Sequence, residues 1–589
     1  MGLISLVAIG VQAADDKPVS RVDADAPVAT RAPADSSQSS ASRASTAKAL
    51  PEASTIEFIN QQIRQGWNDH HLTPSVAAKD GEWCRRVYLD VIGRIPTVDE
   101  LKAFAKDRSA KRRLNLVNRL LGDEYVEEYA RNWTTIWTNV LIGRGSDNDD
   151  NRRSMVNREG MQQYLRRAFQ KNRTYDLLVN ELISATGANQ PGGEEFNGAV
   201  NFLTAKLEED GVQATAKTAQ VFLGMQVQCT QCHNHPFNDW KQNQFWELNA
   251  FFRQTRTRRD GRPRGEAPIT LRNEDFRGEG GDAREAELYY ELRNGQLKVA
   301  YPVFVDGTTE IDRSGMLSKV NRRAELARLV VNSDYMAKAM VNRMWAHFLG
   351  YGFTKPVDDM GPHNPPTHPE LLDRLAQDFR KSSYDIKELI RWITLSEPYA
   401  LSSAASLKLD ADGEIVRTAG KTYDDPSLGE KPGFSHFYLR QMSAEQLYES
   451  LIVATEAQKS QGSYEEQEKT KSDWLRQFTI AFGTDEGDEA TTFNGTIPQV
   501  LMMFNGDLVK RATSGEKGSF LEKLAAEPKQ PFSSKANHLF LAALSRQANA
   551  NELKFIQGPL FVARKGNQLE VLQDVWWVLL NSNEFILNH

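Results

Sequence analysis

Residues 83–104 read Trp83-Cys84-Arg85-Arg86-Val87-Tyr88-Leu89-Asp90-Val91-Ile92-Gly93-Arg94-Ile95-Pro96-Thr97-Val98-Asp99-Glu100-Leu101-Lys102-Ala103-Phe104 and hold a helix end and a helix start in one run. Trp83, Val87 and Val91 recur every fourth position and mark one helical face. Gly93 and Pro96 stop that helix. Thr97-Val98-Asp99-Glu100 then has the form of a capping box, which opens a second helix with Leu101 and Phe104 turned inward.

The same pattern extends in both directions. Ile56, Ile59, Ile63 and Trp67 fall at helical steps before it, and Leu114, Val117, Leu120 and Leu121 after it. Trp133 and Trp137 form an i,i+4 core pair. Tyr175–Leu182 and Ala214–Leu223 read as helices, as do 322–330, 340–348, 384–395, 444–454 and 571–580. Between these halves the texture changes. Thr255 to Arg284 is Arg/Gly-rich and has no apolar period, and Leu288–Val299 alternates around Asn294-Gly295, the signal of a type I′ hairpin. Tyr301–Val305 reads as one more strand. The fold class predicted is mainly α: two helical domains with a small β-hairpin insertion between them.

The chain has 589 residues, 40% apolar and 25% charged, with 72 basic against 78 acidic side chains. That composition belongs to a globular protein and carries no basic excess for nucleic acid. No apolar run in the body is long enough to span a bilayer. Residues 1–14 (MGLISLVAIGVQAA) have the apolar stretch and small residues of a signal peptide, without a basic start, and predict export to the periplasm or cell surface. Residues 15–54, rich in Ala, Ser, Asp and Pro and free of aromatics, read as a disordered linker.

The sharpest chemistry is Cys229-Thr230-Gln231-Cys232-His233, the attachment pattern of haem c. Two thiols three residues apart can bond two vinyl groups of one porphyrin, and the next imidazole then ligates the iron. The same residues admit other readings: a Cys229–Cys232 disulfide or redox pair, a zinc or copper site with His235, or plain structural cysteines. No second axial ligand is assigned among His347, His363, His368, Met225, Met344 and Met360. The aromatics Phe237, Trp240, Phe245, Trp246, Phe251 and Phe252 suit a core and also a porphyrin wall. Cys84 reads as buried and inert.

A second cluster lies in a Pro/Gly-rich loop. Asp358, Asp359, His363 and His368 put two carboxylates and two imidazoles within eleven positions, a pattern for a divalent metal or for acid–base hydrolysis, and equally for helix capping. Arg253, Arg256, Arg258, Arg259, Arg262 and Arg264 form a basic run suited to propionates, an acidic glycan or solvent. Two Asp-rich turns, at 147–151 and 410–413, lack the ligand ladder of a calcium loop.

Several long motifs resemble one family. Val221–Phe252, together with Arg85–Thr97, Asn172–Asp176, Ala185-Thr186-Gly187 and Ala199–Phe202, is similar to the planctomycete cytochrome-like module. Asn342–Gly350, Pro356–Pro362, Asn364–Leu372, Arg440–Leu447 and Leu579–Phe585 resemble the companion domain of unknown function usually fused behind it. The resemblance implies domains at 55–254 (cytochrome-like, with the Cys-x-x-Cys-His segment) and 311–589 (companion), flanking a 255–310 insertion. It also implies an exported bacterial protein associated with a redox partner or with polysaccharide at the cell surface. Asn234 departs from the family pattern, where an acidic residue is expected.

Overall fold

The computed structural model describes residues 52–144, 155–259, 268–404, 424–455, 466, 469 and 507–589. The expected signal peptide, the linker up to 51, both Asp-rich turns, Arg262 and Arg264 lie outside them.

The opening stretch folds as its sequence dictates. Helix Asp80–Ile92 ends at Gly93, whose φ of 79° is the left-handed conformation a glycine C-cap supplies. Thr97 and Glu100 close a complete capping box on helix Val98–Lys106: the Thr97 hydroxyl accepts from Glu100 N–H, and the Glu100 carboxylate accepts from Thr97 N–H. Helices Glu52–Asp69, Arg112–Leu120, Val126–Ile142, Arg158–Gln170 and Tyr175–Ser184 complete the first helical region, and Arg112–Leu120 and Val126–Ile142 pack on Asp80–Ile92. The first of them starts at Glu52, four residues before its apolar face begins at Ile56, because periodicity marks the buried stripe and not the first turn. Helices Arg322–Asn332, Asp334–Leu349, Pro369–Lys381, Ile386–Thr394 and Ala444–Ala454 form the second helix-rich region, with Phe532–Leu544 and Gln568–Leu580 near the C-terminus. The fold is mainly α, with small strands between the two helical regions.

Among the described residues, beside a small cluster of Ala250, Leu288, Tyr290 and Ala300, lie two large hydrophobic cores. One runs from Ile59 through Trp133 and Trp345 to Tyr438; the other joins Leu89, Ile95 and Val98 to Met442–Ile586. Helix Asp80–Ile92 serves both, giving Val87 and Val91 to the first and Leu89 to the second. The regions thus share their cores.

The insertion is richer in strand than its sequence predicts. β1 (Gly187–Ala188), β2 (Thr255–Arg259) and β3 (Ile269–Asn273) form an antiparallel sheet in the order β1-β3-β2. β2 escapes an apolar search because its inward residue, Thr255, is polar and its arginines point largely outward. β4 (Leu288–Glu291) and β5 (Leu297–Ala300) make the expected hairpin, but only Gly295 has positive φ. Gly295 N–H bonds Leu292 O, so the loop is a type I turn closed by a left-handed glycine rather than type I′. Residues 301–305 make a single bridge, Val303 to Glu310, and not a strand. β6 (Arg440–Gln441) pairs with β7 (Leu587–Asn588).

Candidate functional site

The Cys-x-x-Cys-His segment follows a strained helix end. Helix Val212–Thr218 runs into a π-helical turn, Ala219–Leu223, which Gly224 terminates at φ 66°. A 3₁₀ turn, Gln228–Gln231, then carries the cysteines. Thr230 anchors it, fully buried, with its hydroxyl donating to Val227 O at 2.6 Å. Cys229 and Cys232, on either side of that anchor, are exposed free thiols.

His233 Nδ1 lies 2.6 Å from Asn234 O. A carbonyl only accepts, so Nδ1 carries the proton and Nε2 keeps its lone pair. Asn234 Oδ1 accepts from Gln242 N–H and so fastens the loop to helix Gln242–Asn249. Gln242 and Trp246 both donate to Gln231 O. The nearby aromatics divide. Phe245, Phe251 and Phe252 are core, Trp246 stacks on Tyr290, and Phe237 is 84% exposed.

The Pro/Gly-rich loop of the second region packs on this segment, which sequence separation concealed. The Asp358 carboxylate accepts from Gln220 Nε2 (2.5 Å) and Gln226 Nε2 (2.8 Å), upstream of the cysteines. Met360 N–H donates to Gly224 O at 2.7 Å. A Cβ on Gly224 would meet Met360 Cε at 2.4 Å, the movable tip of a flexible side chain, so it is the positive φ that calls for glycine. Downstream of the cysteines, the His235 and His363 rings lie 6.5 Å apart between centroids. His363 Nε2 is 3.0 Å from Asp359 Oδ1.

His368 keeps different company. It packs against Phe353 and Phe434, its Nδ1 bonds the Thr367 hydroxyl, and its Nε2 occupies the space a side chain on Gly66 would fill. The four residues of the sequence cluster are therefore dispersed: Asp358 between two glutamines, Asp359 with His363, His368 in an aromatic pocket. Among the described residues no group of three or more His, Cys, Asp or Glu side chains is placed to hold a metal ion. His347 is half-buried, with Nε2 3.3 Å from Asp90 O, and Met344 is core. Over the described part of the arginine run, Arg253 is buried between Asp210 and Glu279, whereas Arg256, which donates to Arg253 O and Thr255 O, Arg258, which pairs with Glu274, and Arg259 are exposed. Burial pushes the Cys84 thiol far above its usual range, which makes it inert.

Burial also pulls His368 down to about 4. It is neutral in the folded chain at neutral pH and takes up a proton near pH 6.5 when unfolded. Its contribution to stability is complete above about pH 6.5 and is lost as the pH falls toward 4, by up to about 3 kcal/mol at about 1.4 kcal/mol per unit. Melting temperatures measured from pH 7 to 4 should fall through this window, with a smaller fall in His368→Gln.

A mainly helical protein whose first region presents Cys-x-x-Cys-His and whose second region packs a loop against it is of the planctomycete cytochrome-associated class. Residues 58–257 match the family model PSCyt2, protein of unknown function (DUF1549), and residues 322–559 match PSD1, protein of unknown function (DUF1553). The chain belongs to this paired family. No curated protein and no solved structure matches it. Among the described residues no helix is long and apolar enough to cross a membrane.

Proposed function

We propose that the chain is an exported c-type cytochrome-like protein, with haem held by Cys229, Cys232 and His233. The observation that carries this reading is the donor set. Two exposed thiols flank one buried anchor, and the imidazole that follows has Nδ1 committed to its own backbone, which leaves Nε2 for a metal. Bound haem supplies one-electron oxidation and reduction. The chain's own residues do the rest. Asn234 O fixes the His233 tautomer, Thr230 and Gln242 hold the turn, and Phe237 offers an apolar ring at the surface. An exposed segment of this kind is open to a redox partner protein in the periplasm or at the cell surface.

The exposure of both thiols, three residues apart, leaves them accessible to oxidation and carries a second reading, a Cys229–Cys232 disulfide in a haem-free surface protein. Expression with haem-maturation machinery separates the two. The haem reading expects a Soret band and an intact mass raised by one haem, with double attachment lost in Cys232→Ser. A colourless product lighter by two hydrogens overturns it and leaves the disulfide.

A further inference from the structure

The hairpin of β4 and β5 has two unlike faces. Residues directly opposite each other in an antiparallel pair share a face. Leu288 and Tyr290 on β4 and Ala300 on β5 face inward and, with Ala250, form a small buried cluster. The register sets Tyr289 against Val299 and Glu291 against Leu297, so these four share the outward face. Leu297 is 65% exposed, Val299 44% and Tyr289 36%, which leaves three large apolar side chains side by side in solvent. Contiguous exposed apolar side chains with a polar rim mark a contact surface.

The rim is acidic. Glu287 accepts from the Tyr289 hydroxyl at 2.6 Å and from the Tyr301 hydroxyl at 3.2 Å, so it lies on the same side and fixes the Tyr289 ring. Glu291 stands across the pair from Leu297. Among the described residues neither carboxylate makes an ion pair. Of the neighbouring cations, Lys298 belongs to the other face, Arg313 pairs with Glu310, and Arg293 sits beyond the paired strands in the turn.

This face adjoins the cysteine turn. Gln242 Nε2 donates to Gln231 O at 3.2 Å and to Glu291 O at 2.9 Å. Trp246 donates to the same Gln231 O at 3.1 Å and stacks on Tyr290, with centroids 6.1 Å apart and planes 15° apart. The strand end that bears Glu291 and the turn that bears Cys229 and Cys232 are thus fastened to one helix, Gln242–Asn249, through shared hydrogen bonds.

We propose that the outward face of the β4–β5 hairpin docks a small basic one-electron carrier protein beside the cysteine turn. The partner's class rests on the haem reading. Tyr289, Leu297 and Val299 form the apolar centre of the contact, and Glu287 and Glu291 meet lysine or arginine side chains around the partner's own apolar patch. A carrier that must leave after each exchange needs a small contact, and opposite charges then set the rate of encounter. The excess of acidic over basic side chains in the whole chain, 78 against 72, steers the same partner. An acidic partner would bring like charges against both rim carboxylates.

The test uses the full chain and cytochrome c, a basic one-electron carrier, as the probe, with binding followed by isothermal titration calorimetry at low salt. The parent should bind, and more weakly as salt rises. Glu291→Lys should weaken binding about tenfold and Leu297→Ser about fivefold, whereas Glu57→Lys, the same change of charge on helix Glu52–Asp69, should stay within about twofold. All three positions are exposed, and denaturation midpoints near the parent's confirm that the fold is kept. The Cys229→Ser/Cys232→Ser chain, which cannot hold haem through thioethers, should bind like the parent, so the face is tested whether or not the haem reading stands. Absence of binding at millimolar probe, Glu291→Lys and Leu297→Ser both within twofold of the parent, or an equal loss in Glu57→Lys overturns the proposal. So does self-association of the parent that Leu297→Ser abolishes, which would make the occupant a second copy of this chain.

Discussion

Asp90→Ala is expected to destabilise the chain by about 3–5 kcal/mol, the scale for breaking a buried ion pair by removing one partner. Asp90 is 0% exposed, and its carboxylate accepts from Arg440 Nη2 through both oxygens at 3.0 Å, from the Tyr399 hydroxyl at 2.8 Å and from Asn588 Nδ2 at 2.7 Å. Arg440 also donates to His347 O and Phe348 O, so it cannot follow the lost carboxylate to solvent. The variant leaves a guanidinium buried without its counter-ion and two other donors unmatched. The loss should spread across the molecule, because the network joins helix Asp80–Ile92, helix Asp334–Leu349, β6 and β7. Denaturation followed by tryptophan fluorescence measures it as a fall in midpoint at unchanged slope. Asp90→Ala/Arg440→Met, which removes both charges, should recover part of the loss. A single-variant loss below about 1 kcal/mol, small beside the 3–5 kcal/mol expected, would mean that Arg440 finds other compensation.

Three of the family motifs meet at this network: Asp90 in one, His347 and Phe348 in a second, and Arg440 in a third; the first also reaches a fourth separately, through Arg85, which donates to Phe585 O. Their sequence likeness therefore records a structural joint as much as a site.

The helices were legible because their apolar residues repeat at 3.6 positions, and Thr97–Glu100 because a capping box is a local rule. The Cys-x-x-Cys-His spacing was legible as well, but not that both thiols stand exposed. Other features resist such reading. Asp90, Arg85, Arg86, Arg322 and Arg323 are fully buried charges, and a hydropathy pattern assigns charges to the surface. β2 alternates threonine and arginine, a period with no apolar signal. The hairpin position followed from Asn294-Gly295, but its turn type depended on the strand register, which is a tertiary property. In the Pro/Gly-rich loop, four titratable residues close in sequence divide among three environments. His235, whose ring lies 6.5 Å from that of His363, comes from the other half of the chain, and no local pattern reports that approach.

Arg322→Ala is the second large effect expected, about 3–5 kcal/mol. This arginine is 0% exposed and has no carboxylate among its hydrogen-bond partners. Its guanidinium donates to Ser314 O, Ala250 O, Ala286 O and Arg313 O at 2.6–3.2 Å, so carbonyl dipoles alone replace its hydration. Burial accordingly pulls its pKa down to about 10, with Asp312 partly offsetting. Alanine takes the arginine donors from Ser314 O, Ala250 O and Ala286 O at about 1–3 kcal/mol each, reduced where water enters the space, while Arg313 O keeps the Ala286 N–H. Lysine should rescue little, because three donors on one nitrogen cannot span acceptors that a planar fork reaches. The effect should have a local signature. Ala286 lies just before β4, and Ala250 ends the helix whose Gln242 holds Gln231 O in the cysteine turn. Hydrogen exchange should therefore quicken in 242–252 and 286–300 at denaturant levels where helix Val126–Ile142 stays protected. If exchange instead rises evenly along the chain, Arg322 acts only through global stability, and the clamp between the β insertion and the cysteine turn is not a separate unit.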